Sequence, residues 1–359
     1  MKQKFGIAMI VGALLGVGIS AQGVAAPAKK ESHTASKKAS HAASKSSPKM
    51  AANSGSKSNS KKVVAAHSGK SHKVAHASAA KGGKHMTVAA VHKPMRKVSY
   101  NEVDPDRLAL YSASALVIDQ VTGQSLLDKN SHEVVPIASI SKLMTAMVVL
   151  DAKLDLNEVI NIGEEDVDGL KGTRSRLPVG TTMTRETAML LALMSSENRA
   201  AHTLGRHYPG GLPAFVAAMN RKAQSLGMNS SRFEEPTGLS SNNVSTARDL
   251  ARMVAAAARY PEIRTFSTTA EAKLELNGRI SQFGNTNALV RSDTWEIGLS
   301  KTGYISEAGR CLVMQARVAD KPVVIVLLDS VGKMTRVGDA NRIKRWMESA
   351  SLTTDRKPV

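Results

Sequence analysis

The clearest hydrophobic pattern in the chain lies between Pro136 and Leu150. Proline is excluded from helix interiors and serine is favoured where helices begin, so Pro136 and Ser139 mark a start. Apolar side chains then recur at the spacing of one buried helical face, namely Leu143, Met144, Met147 and Leu150. The pattern predicts an apolar helix that begins close to Ser139.

Apolar runs on both sides of this helix predict strands. The turn Thr122-Gly123 separates two such runs, at residues 115–119 and 125–127, which predicts a hairpin. Later strands are predicted where Trp295, Ile297 and Leu299 alternate, with a strand end at Lys301-Thr302-Gly303, and at residues 311–318 and 322–328.

Helical patterns fill the middle of this region. They are predicted to begin at Thr184, to cover residues 213–226 and 245–258, and to return at residues 341–347. Strands at both ends of a helical middle predict an α+β fold, in which both ends of the domain contribute to one antiparallel sheet. We assign residues 101–350 to this domain and residues 351–359 to a C-terminal tail.

The first 25 residues have the pattern of a signal peptide. Lys2 and Lys4 precede an apolar stretch at residues 7–19, and small residues follow, with Ala25 as the predicted last residue before cleavage. The apolar stretch is short for a membrane span, and a retained anchor is the alternative. A signal peptide predicts export to the periplasm.

Residues 26–100 are rich in Lys, Ser, Ala and His and contain little that could build a core, so they are predicted to be disordered. Residues 27–97 contain 15 Lys and one Arg against one Glu, which gives them +15 of the formal net charge of +19. One interpretation is an arm that contacts anionic envelope polymer, and the other is a solvated linker. Metal binding by the seven irregularly spaced His is a weaker interpretation.

With Lys2 and Lys4 included, the first 97 residues carry +17, so the remaining 262 residues are nearly neutral at +2. The high overall charge therefore does not indicate a nucleic-acid-binding domain. Cys311 is the only cysteine, which excludes an internal disulfide, and its apolar neighbours predict a buried thiol.

Ser139 and Lys142 are three positions apart and share a face of the predicted helix. A lysine held neutral in this position can accept the serine proton and so activate the hydroxyl as a nucleophile. Ser-x-x-Lys alone is a weak signal. Here it is followed, in order, by Ser196-x-Asn198 and by Lys301-Thr302-Gly303, and the ordered set of three motifs is far more specific.

Around these motifs the chain resembles the serine D-Ala-D-Ala peptidase family, the low-molecular-mass penicillin-binding proteins. The resemblance covers about residues 115–347 and is carried by Pro136–Asp151, Leu193–Ala201, Glu235–Leu239 and Leu299–Tyr304. It implies a β-lactamase/DD-peptidase-like transpeptidase fold. One departure is Glu197, where the usual second motif has Asp. We assign Glu197, Glu234 and Glu235 to structure.

The resemblance also implies the catalytic roles. Ser139 would attack a D-alanyl carbonyl, Lys142 would accept its proton, and Ser196 would pass a proton to the leaving amine. The pKa of Lys142 would be lowered by burial and by the charge of Lys301.

Substrate binding is implied for five further residues. Asn198 would hold Lys142 and a substrate amide, while Lys301 and Thr302 would bind a substrate carboxylate. Gly303 and Tyr304 complete this strand, and the backbone N–H of Tyr304 would form an oxyanion hole with that of the nucleophile. No metal or organic cofactor is expected; peptidoglycan is the expected substrate, β-lactams the expected inhibitors, and nucleic acid is not an expected partner.

Endopeptidase action on peptidoglycan cross-links is the preferred activity. The residues that follow Gly303 are expected to be used up by two strands and a helix, so neither the extra β domain nor the anchor of the common carboxypeptidases is expected here. A carboxypeptidase remains the alternative. A β-lactamase is disfavoured because no Glu-x-x-Leu-Asn lies between Asn198 and Lys301. A non-catalytic wall-binding protein is the interpretation from another class.

Overall fold

The computed structural model describes residues 108–354. The predicted signal peptide (residues 1–25) and the predicted basic disordered segment (residues 26–100) lie outside the described residues. Their predictions, including metal binding by the tail histidines, stay predictions.

The described chain contains eleven strands and seven α-helices. The strands are β1 (Ser112–Asp119), β2 (Ser125–Lys129), β3 (Val135–Pro136), β4 (Val159–Asn161), β5 (Thr182–Thr184), β6 (Val244–Ser245), β7 (Glu271–Leu276), β8 (Arg279–Gly284), β9 (Glu296–Ile305), β10 (Gly309–Val318) and β11 (Lys321–Ser330). The helices are α1 (Lys142–Asp151), α2 (Arg185–Met194), α3 (Asn198–Arg206), α4 (Gly211–Ser225), α5 (Ala247–Ala257), α6 (Pro261–Thr268) and α7 (Thr335–Thr354).

Five strands form the main sheet, in the order β2-β1-β11-β10-β9, and each neighbouring pair is antiparallel. β1 and β2 come from the start of the described region and the other three from its end. The predicted α+β fold with a sheet built from both ends is therefore confirmed.

Both faces of this sheet are covered. On β11, Val323, Ile325 and Leu327 belong to the core that includes Ala340, Ile343 and Met347 of α7. The alternate residues Val324, Val326 and Leu328 belong to the larger core formed with the helical middle. Because side chains alternate across a strand, burial on both faces requires an apolar residue at nearly every position. This explains the continuous apolar run in the sequence.

Several boundaries differ from the prediction. α7 is longer than the predicted helix at 341–347 and extends past the predicted domain end at residue 350. Lys301 lies in the middle of β9 and not at a strand end, because β9 pairs with β10 as far as Ile305. The β7–β8 hairpin and α6 were not predicted.

The turn that carries Ser139 is fixed by the short β3–β6 pair and by Asn243. The backbone N–H of Ile137 donates to the carbonyl of Asn243 at 3.0 Å. The buried side-chain amide of Asn243 donates to Ser141 Oγ at 3.0 Å and to the carbonyl of Glu235 at 2.8 Å. Asn243 thus joins the Ser139 turn to the loop that contains Glu235.

Gly238, at the end of that loop, lies against the backbone of the Ser139 turn. Its φ is +82°, and a Cβ there would be 1.9 Å from the carbonyl oxygen of Ala138 and 2.7 Å from the Ser139 nitrogen. Only a residue without a side chain permits this approach.

Gly238→Ala is therefore expected to destabilise the fold. Gly278→Ala is the matched control, since Gly278 also has a positive φ of +72° but no atom within 4 Å of the added Cβ. The control should lose about 1–2 kcal/mol of unfolding free energy from backbone strain, and Gly238→Ala about 1–3 kcal/mol more from the clash. Urea unfolding measures both losses, and equal losses for the two variants would contradict the tight packing of Gly238 on the Ser139 turn.

Candidate active site

Ser139 lies in a 3-10 turn, Ala138–Ser141, which leads directly into α1. Ala138 has a positive φ of 48°, a strained conformation for a residue with a Cβ. Gly303 of β9 packs against this turn: a Cβ there would be 2.9 Å from the carbonyl of Ile137 and 3.2 Å from the Ser139 nitrogen. The motif glycine therefore allows β9 to reach the serine.

The Lys142 side chain is fully buried, and its Nζ has three oxygen neighbours. They are Ser139 Oγ at 2.9 Å, Asn198 Oδ1 at 2.7 Å and the carbonyl of Thr237 at 2.6 Å. The last two are acceptors only. A neutral amine has two hydrogens and one lone pair, so when both hydrogens bind these acceptors the lone pair is left for the hydroxyl of Ser139.

Burial lowers the pKa of Lys142 from its ordinary 10.5 to about 7, against the opposing negative charges of Glu235 and Glu197. At this pKa a substantial fraction of the amine is neutral near pH 7, as a general base requires. The charge of Lys301, predicted to contribute to this shift, is not among its causes. The closeness of the two amines acts instead on Lys301, whose pKa is lowered well below its ordinary value by burial, Lys142 and Arg336.

Ser196 and Asn198 lie where α2 passes into α3. Ser196 has a positive φ of 61°, and α3 begins at Asn198. The Oγ of Ser196 accepts a hydrogen bond from Lys301 Nζ at 2.9 Å, while the Nδ2 of Asn198 donates to Thr173 Oγ1 at 3.0 Å. The second motif thus contacts both buried amines.

The third motif lies along β9, beside the Ser139 turn. Lys301 is buried, and its Nζ also donates to the carbonyl of Thr302 at 2.9 Å. Thr302 Oγ1 donates to Thr286 Oγ1 at 2.6 Å. Tyr304 is 55% exposed, and the guanidinium of Arg310 lies 4.4 Å from the centre of its ring.

The structure therefore brings together the residues of all three motifs that the sequence singled out, Ser139, Lys142, Ser196, Asn198, Lys301, Thr302 and Gly303. It also adds groups that the sequence analysis missed. The carbonyl of Thr237 and the hydroxyl of Thr173 carry no local sequence signal. Arg336 of α7 donates to the carbonyl of Gly303 at 2.9 Å, and a basic residue in a helix is equally uninformative by itself.

The glutamates assigned to structure hold loops. Glu197 is buried and accepts from Ser175 Oγ at 2.7 Å and from Arg176 Nε at 2.9 Å. Glu235 accepts from the backbone N–H groups of Thr237 and Gly238, both at 2.6 Å, which fixes the carbonyl that contacts Lys142.

The predicted burial of Cys311 is confirmed. Its thiol donates to the carbonyl of Ala308 at 3.4 Å, and burial raises its pKa to about 11. A thiol with this pKa is almost entirely protonated at neutral pH, so it is a poor nucleophile.

Within residues 108–354, no three His, Cys, Asp or Glu side chains are placed to hold a metal ion. In the same part of the chain, no helix combines the length and the hydrophobicity that crossing a membrane requires.

A serine hydroxyl beside a buried amine, on an α+β fold with an antiparallel sheet, defines a class of enzymes that form covalent intermediates on serine. Residues 99–332 match the family described as D-alanyl-D-alanine carboxypeptidase, peptidase S11. This match covers more than half of the chain, and the chain belongs to that family.

Individual relatives align with this chain at high sequence identity. A D-alanyl-D-alanine endopeptidase from Pseudomonas aeruginosa is 51% identical over 251 residues, which cover 69% of this chain and 81% of the relative. A D-alanyl-D-alanine endopeptidase from Escherichia coli is 48% identical over 243 residues, or 67% of this chain and 78% of the relative.

Solved structures share the fold. A DD-transpeptidase from Streptomyces superposes with a TM-score of 0.62 at 26% identity and covers 67% of this chain and 98% of its own. Penicillin-binding protein D2 from Listeria monocytogenes, in an ampicillin-bound form, gives a TM-score of 0.58 at 27% identity and covers 66% and 98%.

The rate of acylation by a β-lactam is expected to follow the neutral fraction of Lys142. Because burial lowers the pKa of this amine to about 7, the rate constant should rise about ten-fold per pH unit well below pH 7 and level off above about pH 8. Rates of labelling by fluorescent penicillin between about pH 5 and 9 measure this. Lys142→Arg, which stays protonated, should be unlabelled throughout. A midpoint near the ordinary lysine value would contradict the assignment of the base.

Proposed function

We propose that this protein is a penicillin-sensitive serine D-alanyl-D-alanine endopeptidase that hydrolyses the peptide cross-links of peptidoglycan and so acts in cell wall biogenesis. The observation that carries the proposal is the contact of Lys142 Nζ with Ser139 Oγ at 2.9 Å. The N–H groups of the same amine are directed at Asn198 Oδ1 and at the carbonyl of Thr237. The high identity to two endopeptidases supports the choice of substrate.

In the first half of the reaction, Ser139 Oγ attacks the carbonyl carbon of a D-alanyl peptide bond and Lys142 Nζ takes the hydroxyl proton. The tetrahedral oxyanion is bound by the backbone N–H groups of Ser139 and Tyr304. The close packing of Gly303 on the Ser139 turn supports this pairing of donors. Donors fixed before the reaction cost no reorganisation, and each is worth about 3 kcal/mol in comparable enzymes.

Collapse of the tetrahedral intermediate needs a proton on the leaving amine. Ser196 Oγ, which accepts a hydrogen bond from Lys301 Nζ at 2.9 Å, is the proposed relay: it gives its hydroxyl proton to the leaving amine and takes up the proton that Lys142 removed from Ser139, so that Lys142 is neutral again. The acyl group then remains on Ser139 as an ester. Attack by water on this ester releases the second product and returns the proton to the serine.

Substrate is held by the remaining motif residues. Asn198 Nδ2 has a second hydrogen for a substrate carbonyl, and Thr302 Oγ1 belongs to β9, the strand along which the peptide would align. Burial destabilises the ammonium form of Lys301, and a substrate carboxylate would supply the missing opposite charge. No metal or organic cofactor takes part in this scheme.

Carboxypeptidase action is the second candidate, because the matched family is described by that activity. Both reactions attack the same kind of carbonyl and differ in what leaves: a terminal D-alanine, or the side chain amine of a second stem peptide. The two endopeptidase relatives favour the second outcome.

Digestion of purified cross-linked muropeptide dimers, with the products read by mass, separates the two candidates. The endopeptidase proposal expects conversion of dimers to monomers, whereas loss of a single D-alanine from uncross-linked pentapeptides indicates a carboxypeptidase. Ser139→Ala should abolish both digestion and labelling by fluorescent penicillin, since the covalent step is removed. Dimers that remain intact while pentapeptides are trimmed would overturn the endopeptidase assignment.

The place of action is proposed to be the periplasm, on the basis of the predicted signal peptide at residues 1–25. The basic segment at residues 26–100 is proposed to contact anionic envelope polymer, an attraction that salt would screen.

Deletion of residues 27–97, which removes a net charge of +15, should reduce co-sedimentation with cell-wall sacculi at low salt and leave penicillin labelling unchanged. Full-length protein at high salt is the matched control and should also sediment less. Unchanged sedimentation of the deletion variant would favour a solvated linker.

A further inference from the structure

A surface segment, residues 167–176, crosses from the second motif toward the β9–β10 turn; we call it the strap. It is anchored before its start by buried Asp166, which pairs with Arg206 at 2.8 Å, and after its end by buried Leu177. Most strap residues are exposed. At its tip Lys171 forms an ion pair with Glu307 of the β9–β10 turn.

One strap residue, Asp168, organises the segment. Its Oδ1 accepts from the N–H groups of Leu170 and Lys171 at 2.8 and 3.0 Å, and its Oδ2 accepts from the N–H and the hydroxyl of Thr173 at 2.8 and 2.6 Å. Burial opposes ionisation, but these hydrogen bonds outweigh it and lower the pKa of Asp168. Asp168 is therefore a carboxylate at neutral pH and can only accept.

The direction of every hydrogen bond beyond Asp168 follows from this. Thr173 has one hydroxyl hydrogen, and it is donated to the carboxylate. The Thr173 oxygen must then accept from its other neighbour, Asn198, which lies 3.0 Å away. The carboxamide of Asn198 is thereby turned with its NH₂ group toward the strap and its oxygen toward Lys142, at 2.7 Å.

We propose that Asp168 and Thr173 are positioning residues that fix the carboxamide of Asn198 in the one orientation that leaves the Lys142 lone pair for Ser139. This inference rests on the proposed function of Ser139 and Lys142. Asp168 bonds to Thr173, and Thr173 bonds to Asn198, so both residues act through Asn198.

The opposite orientation would disable the base. With its carboxamide reversed, Asn198 would direct N–H toward Lys142 Nζ, where it would repel the ammonium form and occupy the lone pair of the neutral form. The pKa of Lys142 would then fall further, because the charged form loses an acceptor, and the neutral amine would be a poorer proton acceptor for Ser139.

The test compares Thr173→Val, which removes the hydroxyl and keeps the shape, with Thr173→Ser, which retains the hydroxyl. Thr173 is exposed, so neither change threatens folding. The rate constant for acylation by a chromogenic cephalosporin is measured across the pH range. For Thr173→Val its plateau at high pH should be lowered about ten-fold, and the midpoint of its pH profile should move to lower pH. Thr173→Ser should retain most of the rate and the original midpoint.

The direction of the midpoint shift separates orientation from solvent exclusion. If the strap merely kept water out, its loosening would hydrate Lys142 and move the midpoint to higher pH. An upward shift, or a profile equal to that of the unmodified protein, would overturn the proposal. Asp168→Asn, whose side chain can donate as well as accept, should move both plateau and midpoint in the same direction as Thr173→Val.

Lys171→Gln is the matched control on the same strap. It breaks the ion pair with Glu307 and leaves Asp168, Thr173 and Asn198 intact, so its rate should stay within about two-fold of the unmodified protein. A loss as large as that of Thr173→Val would assign the effect to strap closure and overturn the proposal. Failure of the unmodified protein to be acylated would instead refute the proposed function itself.

Discussion

The burial of the Lys142 amine beside Ser139 is the constraint on which the rest of the site depends. An ammonium group has no lone pair to accept a proton, and the fall in the pKa of Lys142 from 10.5 to about 7 shifts the balance toward the neutral amine by about 5 kcal/mol relative to a lysine in water. Burial produces this shift, while the negative charges of Glu235 and Glu197 oppose it without reversing it; the oxygen acceptors satisfy the N–H groups of the buried amine. Burial lowers the pKa, and the geometry of the acceptors aims the lone pair.

Three distant parts of the chain have to meet within hydrogen-bond distance for this arrangement to exist. The antiparallel sheet brings β9 from the end of the described region beside the turn that begins α1. A side chain at position 303 or 238 would clash with the backbone of the Ser139 turn. Glycines at these positions therefore allow β9 and the Glu235–Gly238 loop to approach the turn closely. Asn243 connects the same turn and loop through its buried carboxamide. Small and amide-bearing residues at these points are therefore as necessary as the charged ones.

The sequence predicted what is local and what repeats. The pairing of Ser139 with Lys142 follows from helical spacing, and the apolar runs of β10 and β11 follow from burial on both faces. The meeting of Ser196, Asn198 and Lys301 was inferred only through the family resemblance, because contacts across more than a hundred residues leave no periodic signal. The missed β7–β8 hairpin had a local signal in Asn277-Gly278, both with positive φ, which is the usual pair for a two-residue turn.

The choice between cross-links and terminal D-alanine cannot come from the catalytic groups, since both reactions need the same nucleophile, base and oxyanion donors. It must come from the walls that decide which leaving group fits. The strap contacts Asn198 through Thr173 and is joined to the β9–β10 turn by the solvent-exposed Lys171–Glu307 pair. Exposed pairs of this kind contribute about 0–1 kcal/mol, so this contact holds the strap to the turn only weakly.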